Sequence, residues 1–304
     1  MKSNFLTPTK NIFISHFKSN WKIILPFIFG IFLVSFLAIL IPFSWSEFKY
    51  IGTVEAHWVL DTGRGPDARV FGLGPIIAVF VFGSFGTLIF SIFSLLLTGF
   101  VITSELKKNK MSIWMATPST RNQIIMSKLL FVIAIITVAF LVVFIPTIIF
   151  SSVARDANLY LDKVILQGIF FYLMNVLVAI AFFFLAVIFS NQERLSTSLS
   201  WAIIGYIAIT EILMFFHKTF DFQQLNFVEF IALQSLMPKF LAFGSAYGKE
   251  EVPVPGIPNL KASYGVYTPA NKILLIASPI IQGGLTTAGI VGISSVFNRK
   301  DIKA

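Results

Sequence analysis

Between two long apolar runs, residues 103–128 read TSELKKNKMSIWMATPSTRNQIIMSK, and no other stretch gathers side chains suited to holding a soluble partner. Lys107, Lys108 and Lys110 are followed by Met111, Trp114 and Met115 at i, i+3, i+4 spacing, which predicts a short helix with one apolar stripe. Thr117-Pro118 then breaks the helix, with Thr117 as N-cap and Pro118 at the first position of the next one. Taken alone, these residue types favour an interfacial turn whose lysines obey topology and bind anionic lipid.

Chemistry intrinsic to the chain is not expected. No G-x-x-x-x-G-K-[S/T] loop occurs, and His16, His57 and His217 are scattered, without an H-E-x-x-H pattern. With no cysteine, thiolate metal sites and disulfides are excluded. Asp156 and Asp162 lie beside Arg155 and Lys163 and read as solvated charge. Neither catalytic nor metal-binding residues are expected. Glu211 is the single acidic residue well inside an apolar run, where an unpaired carboxylate costs about 2.5–3.5 kcal/mol. Lys218 follows on the same helical face, so pairing with it or reaching out to water is a sufficient explanation. The alternatives are an ion-coupled secondary transporter using this carboxylate, or a non-transporting membrane scaffold.

The elements that position these residues are membrane helices. The chain is 56% hydrophobic and only 12% charged, against roughly 25% charged in soluble domains. Six apolar runs reach the length of about 20 residues that a bilayer demands: 23–43, 73–103, 129–150, 165–190, 199–216 and 273–297. They do not alternate as barrel strands would, so the fold class is all-α, a polytopic membrane protein with six transmembrane helices. The first run exceeds a signal-peptide core and reads as a retained helix. Thirteen of the 23 Lys and Arg fall in the 1–22 tail, the 104–128 segment, the turn before 199 and the 298–304 tail. By the positive-inside rule both termini and the 104–128 segment are cytoplasmic, and the net charge of +9 needs no nucleic acid to explain it.

The second run is too long for one straight span, and Gly72, Gly74, Pro75, Gly83, Ser84 and Gly86 predict a tilt, kink or interfacial turn in its outer half. Gly83 and Thr87 make a small-xxx-small pair suited to close helix approach. In the last run, Pro279 followed by Gly283-Gly284 predicts a kink, and Gln282 adds a polar group facing a substrate route or a helix seam. The outward loop 44–72 and segment 217–272 complete the layout. Residues 220–243 predict short interfacial or re-entrant helices on the outer leaflet, and 252–269, with Pro253, Pro255 and Pro258, an extended loop.

Glu105, the Lys-rich stretch, Trp114-Met115, Pro118, Arg121, Ile124 and Ser127-Lys128 resemble the cytoplasmic loop of ABC-2-type ABC transporter permeases. The six-run layout and the basic Phe297–Ile302 ending are similar to that family as well. The resemblance implies a permease subunit, in a prokaryotic plasma membrane, whose short coupling helix between spans two and three docks a separate ATP-binding subunit. ATP and Mg would then be bound by that partner, and no cofactor by this chain. It further implies pairing with a second permease chain, as homodimer or heterodimer. Glu105, Lys107, Lys108, Trp114, Met115, Pro118, Arg121 and Lys128 would be the docking residues, with Glu105 as hinge or ion-pair partner at the membrane edge.

Overall fold

The computed structural model describes residues 6–44, 56–60, 69–70, 76–107, 120–153, 157–190, 192–220, 222–238, 248–253, 260–266 and 272–299. Six helices are long and apolar enough to cross a membrane. The first is Leu6–Ser44, the third Arg121–Val153, the fourth Ala157–Ile188, the fifth Glu193–Phe220 and the sixth Lys272–Arg299. Each overruns its apolar run, because lipid selects only the middle of a helix while capping decides where it stops. At the third helix a capping box does this. The Thr120 N–H donates to Gln123 Oε1 at 2.9 Å, and the Gln123 N–H to Thr120 Oγ1 at 3.3 Å. The described helix therefore starts after Thr120. Thr117 and Pro118, the expected start, lie outside the described residues.

The second span is a composite. A π-helical turn, Ile77–Val81, ends in a break at Phe82–Gly83, followed by the α-helix Ser84–Thr98. A second π turn, Gly99–Thr103, then leads into the short helix Ser104–Lys107. The surplus length of this run is thus spent on a break and two wide turns, which bond residue i to i+5. At the break the Phe82 N–H donates to Ile77 O at 2.7 Å, and the Thr87 N–H restarts the ladder on Gly83 O at 2.8 Å. Phe82 fills the discontinuity: it is fully buried, with ring centroids 6.3, 6.0 and 5.5 Å from Phe140, Phe144 and Phe171. Phe82→Ala is expected to cost about 3–5 kcal/mol, read as a lower unfolding midpoint in detergent; an unchanged midpoint would show that the break is not held by this ring.

The fourth helix is the hub, packed on the second, third and sixth, while the first lies along the third. Gly289 and Gly292 bring the sixth helix close: a Cβ at either would come within 2.6 Å of Ile180 or 2.9 Å of Phe184. The sixth helix runs through Pro279 without a break.

All six spans are helical, as expected, but the long connections add strands where loops were expected. β1 (Ala56–Leu60), β2 (Arg69–Val70), β3 (Gly248–Pro253) and β4 (Leu260–Val266) form an antiparallel sheet in the order β2-β1-β4-β3. β1 pairs with β4 from Ala56↔Tyr264 to Leu60↔Leu260, joining the connection after the first span to the one before the sixth. Pro255 and Pro258 fall between β3 and β4, and Pro253 ends an edge strand, where a missing N–H is tolerated.

The segment after the fifth helix folds back against the fifth and sixth helices. It consists of 3-10 turns at Gln223–Leu225 and Leu233–Leu236 around the short helix Val228–Ile231. Tyr206 donates its hydroxyl proton to Ile231 O. Tyr206 stands fourteen residues from the helix end at Phe220, about 21 Å at 1.5 Å per residue. Leu236 O accepts from Ser278 Oγ and, at 2.8 Å, from Gln282 Nε2. Tyr206, Ser278 and Gln282 thus satisfy backbone carbonyls that this irregular segment leaves without a helical partner.

Candidate functional site

Lys128 is the most deeply buried cation among the described residues, with 0% of its surface exposed. It is the eighth residue of the third helix, so it faces inward one turn after Ile124, also buried. Three acceptors surround its ammonium: Glu105 Oε2, Val101 O at 3.3 Å and His16 Nε2 at 3.3 Å. A lysine ammonium carries three donors and no acceptor, so the three partners match its capacity. For His16 Nε2 to accept, the imidazole proton must sit on Nδ1. That atom lies 3.5 Å from Glu105 Oε1, so the same tautomer serves the carboxylate. Each member of the cluster answers the other two.

Three different elements supply it. His16 comes from the first helix, Val101 and Glu105 from the C-terminal end of the second span, and Lys128 from the third. The second π turn carries Val101, whose carbonyl is turned to Lys128 instead of serving only its own helix. Phe131 covers the imidazole at 5.4 Å, and Phe13 packs edge-on against Phe131 at 4.9 Å. Lys128 lies twenty-five residues from the far end of its helix at Val153, about 38 Å. That exceeds the roughly 30 Å hydrocarbon thickness of a bilayer.

Glu105 and Lys128 are also the two feet of the insert. They flank residues 108–119 in the sequence, and their ion pair joins the short helix Ser104–Lys107 to the third helix. His16 ties both feet to the first helix. The Ser294 hydroxyl donates to Asn122 Oδ1 at 2.7 Å, which joins the sixth helix to the same end of the third.

The sequence candidates fall into distinct places. Lys107 ends the short helix after Glu105. Lys108, Trp114, Met115 and Pro118 lie outside the described residues. Arg121 is exposed at the first turn of the third helix. Lys128, grouped with the docking residues on charge and position, is instead an internal partner: its side chain points into the bundle and does not reach the surface. Glu105 is its ion-pair partner.

The second group of candidates does not converge. Gly83 and Thr87 share a backbone hydrogen bond at the break, Thr87 fully buried. It is Gly86, and not this pair, that makes the tight approach, to Val81 and to the Phe171 ring. Glu211 is 1% exposed, packed within the protein and not reaching out to water. Gln282, with Ser278, clamps Leu236 O of the segment after the fifth helix, and Pro279 follows Ser278 in the same helix, whereas Gly283 and Gly284 are exposed. None of these seven residues lines the cavity of about 320 Å³ between the second, fourth and fifth helices.

His16 was not singled out by its sequence context. A signal existed: Ile12, His16, Ile24, Ile28, Ile31, Ser35 and Ile39 are all buried and lie at helical spacing. The buried stripe of the first helix therefore continues through His16, well before the apolar run begins. No protein-family model, no curated protein and no solved structure matches this chain.

Proposed function

We propose that this chain is the membrane-spanning permease subunit of an ABC-2-type transporter, an exporter driven by ATP hydrolysis on a separate nucleotide-binding subunit. The observation that carries this reading is the Glu105–Lys128–His16 cluster. It fastens both feet of the basic insert to three membrane helices, which is what a lever between a cytoplasmic motor and a helix bundle requires. A loop that merely touched anionic lipid would need no such anchorage. The insert end of the bundle is the cytoplasmic end, following the asymmetry of Lys and Arg, and the sheet lies on the outer side.

In this mechanism the ATP-binding subunit, holding ATP and Mg, seats Trp114 and Met115 in an apolar groove, with Lys107, Lys108 and Arg121 on its rim. Closure of the paired ATPases displaces the insert. The ion pair passes the displacement to the first, second and third spans as a near-rigid unit. Two such chains, identical or different, line the path between them in a prokaryotic plasma membrane.

Substituting Trp114 and Arg121 together by alanine is expected to abolish ATP-dependent transport while leaving membrane insertion intact. The check is ATP hydrolysis by the co-purified pair beside transport in vesicles; undiminished transport would refute the docking role. A second reading, an ion-coupled transporter, is favoured by one observation, the buried Glu211 in the fifth span. Transport that persists without ATP, collapses with the ion gradient and is lost in Glu211→Gln would select it.

A further inference from the structure

The cavity between the second, fourth and fifth helices has a divided lining. Leu95 and Phe182 form an apolar wall, and hydroxyl groups form the other. Thr98 and Ser104 donate their protons to Ser94 O and Phe100 O, at 2.9 and 3.0 Å, so toward the cavity they offer lone pairs only. Ser196 and Ser200, buried and one turn apart on the fifth helix, stand opposite. Among the described lining residues none is charged. The wall at the second span is the π turn that starts at Gly99, a local geometry frequent at functional sites. A Cβ at Gly99 would meet nothing within 4 Å.

We propose that this cavity binds the head of a neutral, hydroxyl-bearing, single-chain amphiphile drawn from the adjoining leaflet. The acceptors on Thr98 and Ser104 receive protons from the ligand's hydroxyls. An ionised head is disfavoured, because burying a charge without a countercharge is costly. At about 320 Å³ the volume lies near the lower end of ligand sites, roughly 300–1,000 Å³. It holds a head and the first carbons of a chain, not a whole two-chain lipid. The mouth is marked by Trp201, 55% exposed, and by exposed Thr197, past which the chain runs into lipid. Ser196 and Ser200 lie three and seven residues from the start of the fifth helix, about 5–10 Å along its axis. That is the depth at which an amphiphile keeps its head. The inference is one of binding and stands apart from the transport reading.

The test uses the full chain in nanodiscs and a 1-monoacylglycerol carrying a diazirine and an alkyne on its acyl chain. Photolabelling should concentrate on residues 95–104 and 195–201. Unlabelled monoacylglycerol should displace the probe, and oleate should not. Gly99→Leu, which fills the cavity from the π turn, and Ser200→Leu, which fills it from the fifth helix, should each cut specific labelling by about tenfold. Ser200→Ala, which keeps the space and removes one hydroxyl, should give a smaller loss, and guards against misfolding of the larger variants. Gly30→Leu, at a position on the first helix that also has open space, should leave labelling unchanged. Labelling spread evenly over lipid-facing helices, insensitive to competitor and to these variants, would overturn the site. Equal displacement by oleate would overturn the neutral class.

Discussion

Lys128→Met should destabilise the folded protein by about 3–5 kcal/mol, the cost of leaving one half of a buried ion pair uncompensated. The methionine fills nearly the same volume, so the loss reports charge and hydrogen bonding more than packing. Glu105, at 12% side-chain exposure, would lose its counter-ion, and Val101 O and His16 Nε2 a donor. Glu105→Gln alone should cost at least as much, since it leaves the fully buried Lys128 ammonium without a counter-charge. The double variant Glu105→Gln/Lys128→Met should be more stable than Lys128→Met alone, because no buried charge remains. A double-mutant cycle on unfolding midpoints in detergent measures this coupling. If the two losses simply added, the pair would not be the anchor described above. The cycle also separates two roles. Should the double variant be as stable as the parent yet fail to couple ATP hydrolysis to transport, the cluster serves transmission beyond folding.

Gly86→Ala is expected to have the second large effect, loss of the native second span. An added Cβ would lie 2.0 Å from the carbonyl oxygen of Val81 and 2.8 Å from its carbonyl carbon. Both are backbone atoms of the π turn before the break, so relief requires moving the turn itself. That turn positions Phe82, and Phe82 fills the space between the third and fourth helices. Substitutions of this class exceed about 4 kcal/mol and commonly prevent folding. Gly99→Ala makes the matched comparison, since its Cβ would meet open space. The readout is the fraction of purified protein that is monodisperse by size-exclusion chromatography. A Gly86→Ala protein as well behaved as Gly99→Ala would mean the break at Phe82–Gly83 tolerates rebuilding.

The six spans were legible because a bilayer forces about 20 apolar residues into each, and no soluble constraint competes with that. Their ends were not, because Thr120 and Gln123 set the start of the third helix through a local capping box that apolar pattern does not register. The trouble in the second run was visible in its glycines, but not its form. Whether Gly83 and Gly86 make a kink or a break depends on how Phe82 packs against Phe140, Phe144 and Phe171, which come from distant parts of the sequence. The sheet was invisible for a related reason. β1 and β4 pair across about 200 residues, and proline-rich flanks disguised β3 and β4 as loop. The interrupted apolar character of residues 222–238 showed, while what holds them depends on Tyr206, Ser278 and Gln282, from other helices. Glu105 was recognised as an ion-pair candidate. Lys128 was sorted with the docking residues because sequence shows that a lysine lies near a boundary, not which way it points. His16 belongs to the same failure, since its partners lie on other helices.

The proposed lever is tested most directly by a single cysteine. The chain has none of its own, so Trp114→Cys gives one reactive thiol in the insert, and native membranes can be treated with a thiol-directed cross-linker. The account predicts one adduct, to a protein carrying a G-x-x-x-x-G-K-[S/T] loop, whose yield changes on adding ATP and Mg. A thiol that reacts only from the opposite face of the membrane, or that forms no adduct with any nucleotide-binding protein, would contradict it.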